Sequence, residues 1–132
     1  MNFSFLASEN NKNNYPECIN EKLVRVFDGL LGDYKKAHDL CEKYGRKYRR
    51  TFYGFSEKIK DICAEIGYEI VWESSYPYPT LNKLSENKEL FSGEYIICMR
   101  YHVFLLKDGV IRDIRQPGGK NKISGFWKLT KK

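Results

Sequence analysis

The sequence lacks the features that identify several common classes of protein. It has two histidines and no pair of cysteines spaced as CxxC, so no zinc-binding signature is present. Its apolar runs are far shorter than the roughly 20 residues that cross a bilayer. A basic stretch followed by an apolar one is also missing from the first residues, so we expect no secretory signal. We therefore expect a cytoplasmic protein with reduced thiols, no membrane contact, no metal and no cofactor.

The composition is that of one folded domain with a moderate excess of positive charge. The chain has 132 residues, of which 42% are hydrophobic and 15% aromatic, too many for a disordered protein. Lysine and arginine number 23 against 17 acidic residues, a net charge of +6. This excess permits an acidic partner but does not require one.

The pattern along the chain predicts an α+β fold with the helices first. Residues 1–13 are expected to form a flexible arm, and residues 14–132 a single domain. Apolar residues repeat at helical spacing in three segments that end at Gly32, Gly45 and Gly67. After Gly67 the apolar pattern becomes that of strands, interrupted by a short helix that Thr80 can cap. Helices followed by a run of strands predict N-terminal helices packed on a small antiparallel sheet.

A two-residue hairpin is the strongest local signal in the sequence. Asp108-Gly109 stands between two apolar runs, and both turn positions require a positive φ. Lys107 then pairs with Val110, which makes His102 and Asp113 diagonal neighbours on one face of the hairpin. That face carries His102, Phe104, Leu106, Ile111, Asp113 and Arg115. An acid beside an imidazole fixes the tautomer of the ring and stabilises its protonated form, as a catalytic base requires.

Among the four cysteines, Cys18 is the best candidate nucleophile. It lies in the first turn of the first predicted helix, where the helix dipole stabilises a thiolate. Cys41 and Cys63 lie on apolar helix stripes, and Cys98 lies in the middle of a strand. A cysteine at a helix start, packed against a strand histidine and an acid, is the arrangement found in papain-like enzymes.

The order of motifs resembles that of the small papain-fold cysteine-peptidase-like proteins of phages and bacteria. The similarity extends over nearly the whole chain after residue 13. It is carried by Glu17-Cys18, Leu23-Val24-Arg25-Val26-Phe27, Asp33-Tyr34, Gly45-Arg46-Lys47, Pro79-Thr80-Leu81, His102 and Asp108-Gly109 through Asp113.

The resemblance implies a thiol hydrolase that cleaves a peptide, amide or isopeptide bond. Cys18 would be the nucleophile, His102 the base and Asp113 the residue that orients His102. Asn14 precedes the cysteine where this superfamily often places an amide donor for the oxyanion, although a helix cap explains it equally well. The family cysteine stands three residues before the helical arginine, a position that Lys22 occupies here. Either the first helix has gained about one turn, or the nucleophile is lost.

The alternative is a catalytically inactive papain-fold binding protein. A phage-encoded version could inhibit a host defence complex by binding an acidic protein surface or a nucleic acid. The basic cluster Arg46, Lys47, Tyr48, Arg49 and Arg50 is the candidate contact surface. A solvated loop at a helix end explains the same cluster without any partner. In the hydrolase, loops such as Ser74 to Pro79 and Gln116 to Asn121 would line the substrate pocket.

Overall fold

The structure is a computed structural model that describes residues 1–7, 21–45, 55–100, 102–113 and 115–132; for residues 21, 22 and 55–57 it describes the backbone alone. This part of the chain has an α+β fold with four α-helices and one mixed six-stranded sheet. The helices are α1 (Glu21–Leu31), α2 (Tyr34–Lys43), α3 (Phe55–Glu65) and α4 (Leu81–Leu84), with a 3-10 helix at Lys88–Phe91. The strands are β1 (Ser4–Ala7), β2 (Tyr68–Ser74), β3 (Glu94–Met99), β4 (Val103–Lys107), β5 (Val110–Asp113) and β6 (Ile123–Lys131).

Capping residues set the boundaries of the helices much as the sequence predicts. Gly32 has a φ of +69°, which ends α1 in the left-handed region that glycine tolerates. Asp33 then caps α2, and its carboxylate accepts a hydrogen bond from the Lys36 amide at 3.1 Å. Thr80 caps α4 in the same way through the Lys83 amide at 3.2 Å. The predicted cap of the short helix is therefore confirmed.

The Asp108-Gly109 hairpin is confirmed with the predicted register. Both turn residues have positive φ, +50° at Asp108 and +77° at Gly109. Lys107 pairs with Val110, and the next two pairs are Leu106 with Ile111 and Leu105 with Arg112. Because side chains alternate along a strand, this register determines which face every residue of β4 and β5 occupies.

Residues Ser4–Ala7 form strand β1 of the sheet, which differs from the flexible arm predicted over residues 1–13. Strand β1 pairs with β5 in parallel, so the sheet order is β1-β5-β4-β3-β6-β2 and the sheet is mixed rather than purely antiparallel. The Ser4 amide donates to the Gly109 carbonyl at 3.0 Å, and Phe3 is buried against Phe91. Burial of the Phe3 ring offsets the conformational entropy that is lost when this segment becomes ordered. The polar residues that follow it in sequence give no sign of this burial. Residues 8–13 of the predicted arm lie outside the described residues.

The sheet is covered on both faces, and each face has its own apolar cluster. Helices α1, α2 and α3 cover one face, where Leu105 and Ile96 pack against Val24, Phe27 and other helix residues. We call this the helix face. The opposite face packs against α4, the 3-10 helix and Phe3, with Phe104, Leu106 and Ile111 at its centre. Among the helices of the described residues, none has the length and apolar character needed to span a bilayer.

Truncating Phe3 tests whether the N-terminal strand is part of the folded domain. We expect Phe3→Ala to lower the free energy of unfolding by about 3 kcal/mol, because a buried ring is lost from a packed cluster. Leu6→Ala, at an exposed position of the same strand, is the matched control and should change stability by less than about 0.5 kcal/mol. Urea unfolding measures both values. Equal, near-zero effects of the two variants would show that the segment is a loose arm after all.

Candidate functional site

The site is built around a hydrogen bond between His102 and Asp113. His102 Nε2 lies 2.5 Å from Asp113 Oδ2. His102 directly precedes β4 and Asp113 is the last residue of β5, so the hairpin register brings them to the same end of the sheet. Asp113 is only 4% exposed, whereas the His102 side chain is 31% exposed. The sequence predicts that these two residues are neighbours, and the structure adds that the carboxylate is buried and the histidine partly accessible from solvent.

This arrangement prepares the histidine ring for proton transfer. When Nε2–H donates to Asp113, the neutral ring carries its lone pair on Nδ1, the nitrogen on the other side. The carboxylate also stabilises the imidazolium that forms when Nδ1 accepts a proton. Phe104 packs beside the imidazole with ring centroids 6.1 Å apart, which limits rotation of the ring. The pair can therefore act as an oriented general base toward a group near Nδ1.

The His102–Asp113 pair forms one wall of an open cleft of about 450 Å³, which we call the histidine cleft. Its other lining residues are Met99, Arg115, Gln116, Pro117 and Asn121. Arg115 supplies a positive charge at this wall, and Gln116 and Asn121 supply amide groups that can donate hydrogen bonds. The cleft can therefore accommodate a small polar or anionic group next to the histidine.

Hydrogen bonds to α4 hold the loop that forms the far wall of the histidine cleft. The Leu81 amide donates to the Asn121 carbonyl, and the Asn82 amide donates to the Gly119 carbonyl, each at 2.8 Å. An added Cβ at position 119 would lie 2.0 Å from Asn82 Oδ1, so a side chain there would have to displace the Asn82 amide. The short helix therefore acts as a support that fixes the position of residues 116–121.

The described cysteines lie away from the His102–Asp113 pair. Cys41 and Cys63 are buried in the helix-face cluster, and Cys98 packs at the edge of that cluster. Burial raises the pKa of the Cys63 thiol and of the Cys98 thiol, each to about 12. Protonated, buried thiols are poor nucleophiles, in agreement with the structural roles that the sequence predicts for them.

Helix α1 lies on the opposite face of β4 from His102. Gly29 of α1 packs so closely on Leu105 that an added Cβ would lie 2.5 Å from Leu105 Cδ2. Leu105 points to the helix face, whereas Phe104 points to the other face together with His102. The helix that follows Cys18 in sequence therefore does not cover the His102 ring.

Several of the predicted site residues lie outside the described part of the chain. These are Cys18, Asn14 and the basic cluster Arg46, Lys47, Tyr48, Arg49 and Arg50. Lys22 lies in α1, but only its backbone is described. The roles given to these residues remain predictions. The structure brings together His102 and Asp113, two of the three residues of the predicted catalytic set.

Arg115 and Asn121 are site residues that the sequence pattern does not single out, although it predicts that the loop from Gln116 to Asn121 lines a pocket. The hairpin register predicts that Arg115 lies on the same face as His102, and this is the feature of the sequence from which its role in the site could have been inferred. The second loop expected at the pocket, Ser74 to Pro79, lines a different cleft through Ser74 and Tyr78.

Comparisons with known proteins do not assign the site. No protein-family model, no curated protein and no solved structure matches the chain. Within the described residues, no group of three or more His, Cys, Asp or Glu side chains could hold a metal ion. The chemistry of the site therefore has to be argued from its own residues.

The raised thiol pKa values predict slow alkylation of Cys63 and Cys98 in the folded protein. At pH 8 both thiols should react with iodoacetamide at least about 100-fold more slowly than in urea, because burial keeps them protonated. From pH 8 to pH 10 the alkylation rate of these thiols in the folded protein should rise about tenfold per pH unit. The alkylation rate of an ordinary thiol, in contrast, levels off near pH 9. Peptide mass spectrometry resolves each cysteine. Rapid native-state labelling of Cys98 would contradict the packing described above.

Proposed function

We propose that this protein is a papain-like thiol hydrolase that acts on a peptide, amide or isopeptide bond. The single observation that supports it best is the 2.5 Å contact between His102 Nε2 and Asp113 Oδ2 in the wall of an open cleft. This contact matches the histidine–acid half of a cysteine-hydrolase site, and it leaves the Nδ1 nitrogen to face a nucleophile.

In the proposed reaction, Cys18 supplies the nucleophile. His102 Nδ1 takes the thiol proton while Cys18 Sγ attacks the substrate carbonyl carbon. The tetrahedral intermediate collapses, and His102 returns the proton to the amine that leaves. Water then attacks the thioester with His102 as base, which releases the acid and restores the thiol. Gln116 or Asn121 can donate an amide hydrogen bond to the oxyanion in place of Asn14.

Chain connectivity supports Cys18 in this role. Strand β1 ends at Ala7, which is the register partner of Asp113, and α1 begins at Glu21, three residues after Cys18. The segment that contains Cys18 thus connects a strand beside the site to the helix on the other face. The proposal requires this segment to bring the thiol to His102 across the ends of β4 and β5.

The alternative is a papain-like scaffold without catalysis that binds an acidic protein partner. It is favoured by the position of α1, which covers the face of β4 opposite to His102. Arg115 in the histidine cleft would then contact an acidic group of the partner. In such a protein Cys18 is an ordinary thiol, and the His102–Asp113 bond only stabilises the end of the hairpin.

Alkylation of Cys18 distinguishes a thiolate–imidazolium pair from an ordinary thiol. We expect Cys18 to react rapidly with iodoacetamide below pH 7, and His102→Ala or Asp113→Asn to slow that reaction by at least about tenfold. His38→Gln, which changes the other histidine of the chain, should leave the rate unchanged. Peptide mass spectrometry measures the rate across pH, and circular dichroism checks that each variant is folded.

The opposite result would favour the binding protein. If Cys18 in the folded protein reacts at the rate of an ordinary thiol and His102→Ala does not change that rate, the hydrolase proposal is wrong. The described cysteines provide an internal control, since their labelling should remain low in every folded variant.

A further inference from the structure

A second cleft lies beside the end of β3, where Arg100 lines it. It has a volume of about 630 Å³, and Trp72, Tyr78, Arg100 and Lys122 line it together with Ser74 and Ser124. Met99 and Asn121 line the histidine cleft, and the residues that follow them in sequence, Arg100 and Lys122, line this second cleft. The two clefts are therefore neighbours. We call the second one the aromatic cleft.

The aromatic cleft exposes large rings that the core does not require. Trp72 is 42% exposed, Tyr78 is 48% exposed and the nearby Tyr76 is 76% exposed. Scattered exposed apolar residues are common, but three large rings within seven residues form a patch. Such patches on a folded domain mark places where another molecule packs.

The rings are held in position by their neighbours rather than left free. Trp72 packs against Trp127 with centroids 5.1 Å apart, and its indole lies over Gly125, where an added Cβ would be 2.5 Å from Trp72 Cζ2. Tyr76 meets Tyr78 edge to face with centroids 5.5 Å apart. The Ser75 amide donates to the Ser124 carbonyl at 3.1 Å, which connects this loop to β6. The ring faces are therefore presented in a fixed geometry.

The charges of the cleft select an anionic partner. Arg100 and Lys122 both line it, and none of the described residues that line it is acidic. Lys120 is exposed two residues before Lys122, and Arg115 lines the neighbouring histidine cleft. Fixed aromatic faces beside cations match a ligand with planar rings and phosphates, because the rings stack and the phosphates pair with the cations. An acidic peptide would satisfy the cations but leave the aromatic faces without stacking partners.

We propose that the aromatic cleft binds single-stranded nucleic acid. Bases stack on Trp72 and Tyr78, and Lys122 and Arg100 neutralise the adjacent phosphates. The net charge of +6 supports the association at long range. This site is distinct from the basic cluster of residues 46–50, and it does not depend on catalysis at His102.

Fluorescence anisotropy with labelled ten-nucleotide thymidine and uridine oligomers tests the proposal. We expect micromolar binding at about 50 mM salt, weakening by about 200 mM salt. Trp72→Ala should reduce affinity by roughly 5- to 100-fold, whereas Trp72→Phe, which keeps a stacking face, should retain most of it. Binding should also quench the tryptophan fluorescence of the wild-type protein, because Trp72 is one of two tryptophans.

Charge variants separate this site from general attraction to a basic protein. Lys122→Gln should lower the affinity and reduce the dependence of binding on salt concentration by roughly one contact. Lys88→Gln is the matched control, because its 3-10 helix packs through Phe91 on Gly109, at the opposite end of β4. Cys18→Ala should bind as the wild type does, so this test is independent of the hydrolase proposal.

Three results would overturn the proposal. One is the absence of binding up to about 100 μM protein at low salt. Another is an equal loss of affinity in Lys122→Gln and Lys88→Gln with no effect of Trp72→Ala, which would indicate unspecific charge attraction. The third is equally effective competition by polyglutamate, which would indicate an acidic protein partner instead.

Discussion

The Asp108-Gly109 turn determines on which side of the sheet each residue of β4 and β5 lies. Its geometry is fixed from several directions: the Asp108 amide donates to the Gly93 carbonyl, and Asp108 Oδ1 accepts from the Gly93 amide. The Phe91 ring leaves no space for a side chain at position 109, where an added Cβ would lie 2.7 Å away. A shift of one residue on one strand would turn that strand's apolar side chains to the opposite face and separate His102 from Asp113. Core and candidate site therefore depend on the same turn.

Because the sheet is covered on both faces, the face on which His102 lies determines which elements lie near its ring. The pair lies on the face covered by α4 and the N-terminal residues, and α1 lies behind the sheet. In this arrangement β1 runs beside β5, and Ala7 is the register partner of Asp113, whose side chain is buried. A buried carboxylate needs hydrogen-bond donors, and His102 provides one of them. The orientation of His102 therefore depends on Asp113, which lies on the strand next to β1.

The sequence predicted the local features well because each has a strong short-range cause. A two-residue turn signal, a capping threonine and a helix end at Gly32 are read from adjacent residues, and all three appear as expected. The pairing of His102 with Asp113 followed from the hairpin register alone. Strand β1 could not be predicted, because its pairing with β5 joins residues about 106 positions apart and leaves no periodic pattern in four residues. The same reason explains why the aromatic cleft, which joins β2, the β3–β4 turn and β6, was missed as a site.

The exposed rings of the aromatic cleft are a feature that folding alone does not explain. Strand β2 already gains its core contacts from Tyr68 and Ile70, and Trp72 lies beyond them, packed at a tilt against Trp127 near the end of the strand. A smaller β-branched residue would satisfy the strand at this position with less apolar surface in water. Trp72 also requires Gly125 beneath it, and glycine inside a strand weakens that strand. Selection for stability alone would favour neither the exposed ring of Trp72 nor a glycine at position 125. A surface on which bases stack, in contrast, requires an open ring face that is held rigidly from behind. Their combination beside Arg100 and Lys122 is therefore better explained by recognition than by stability.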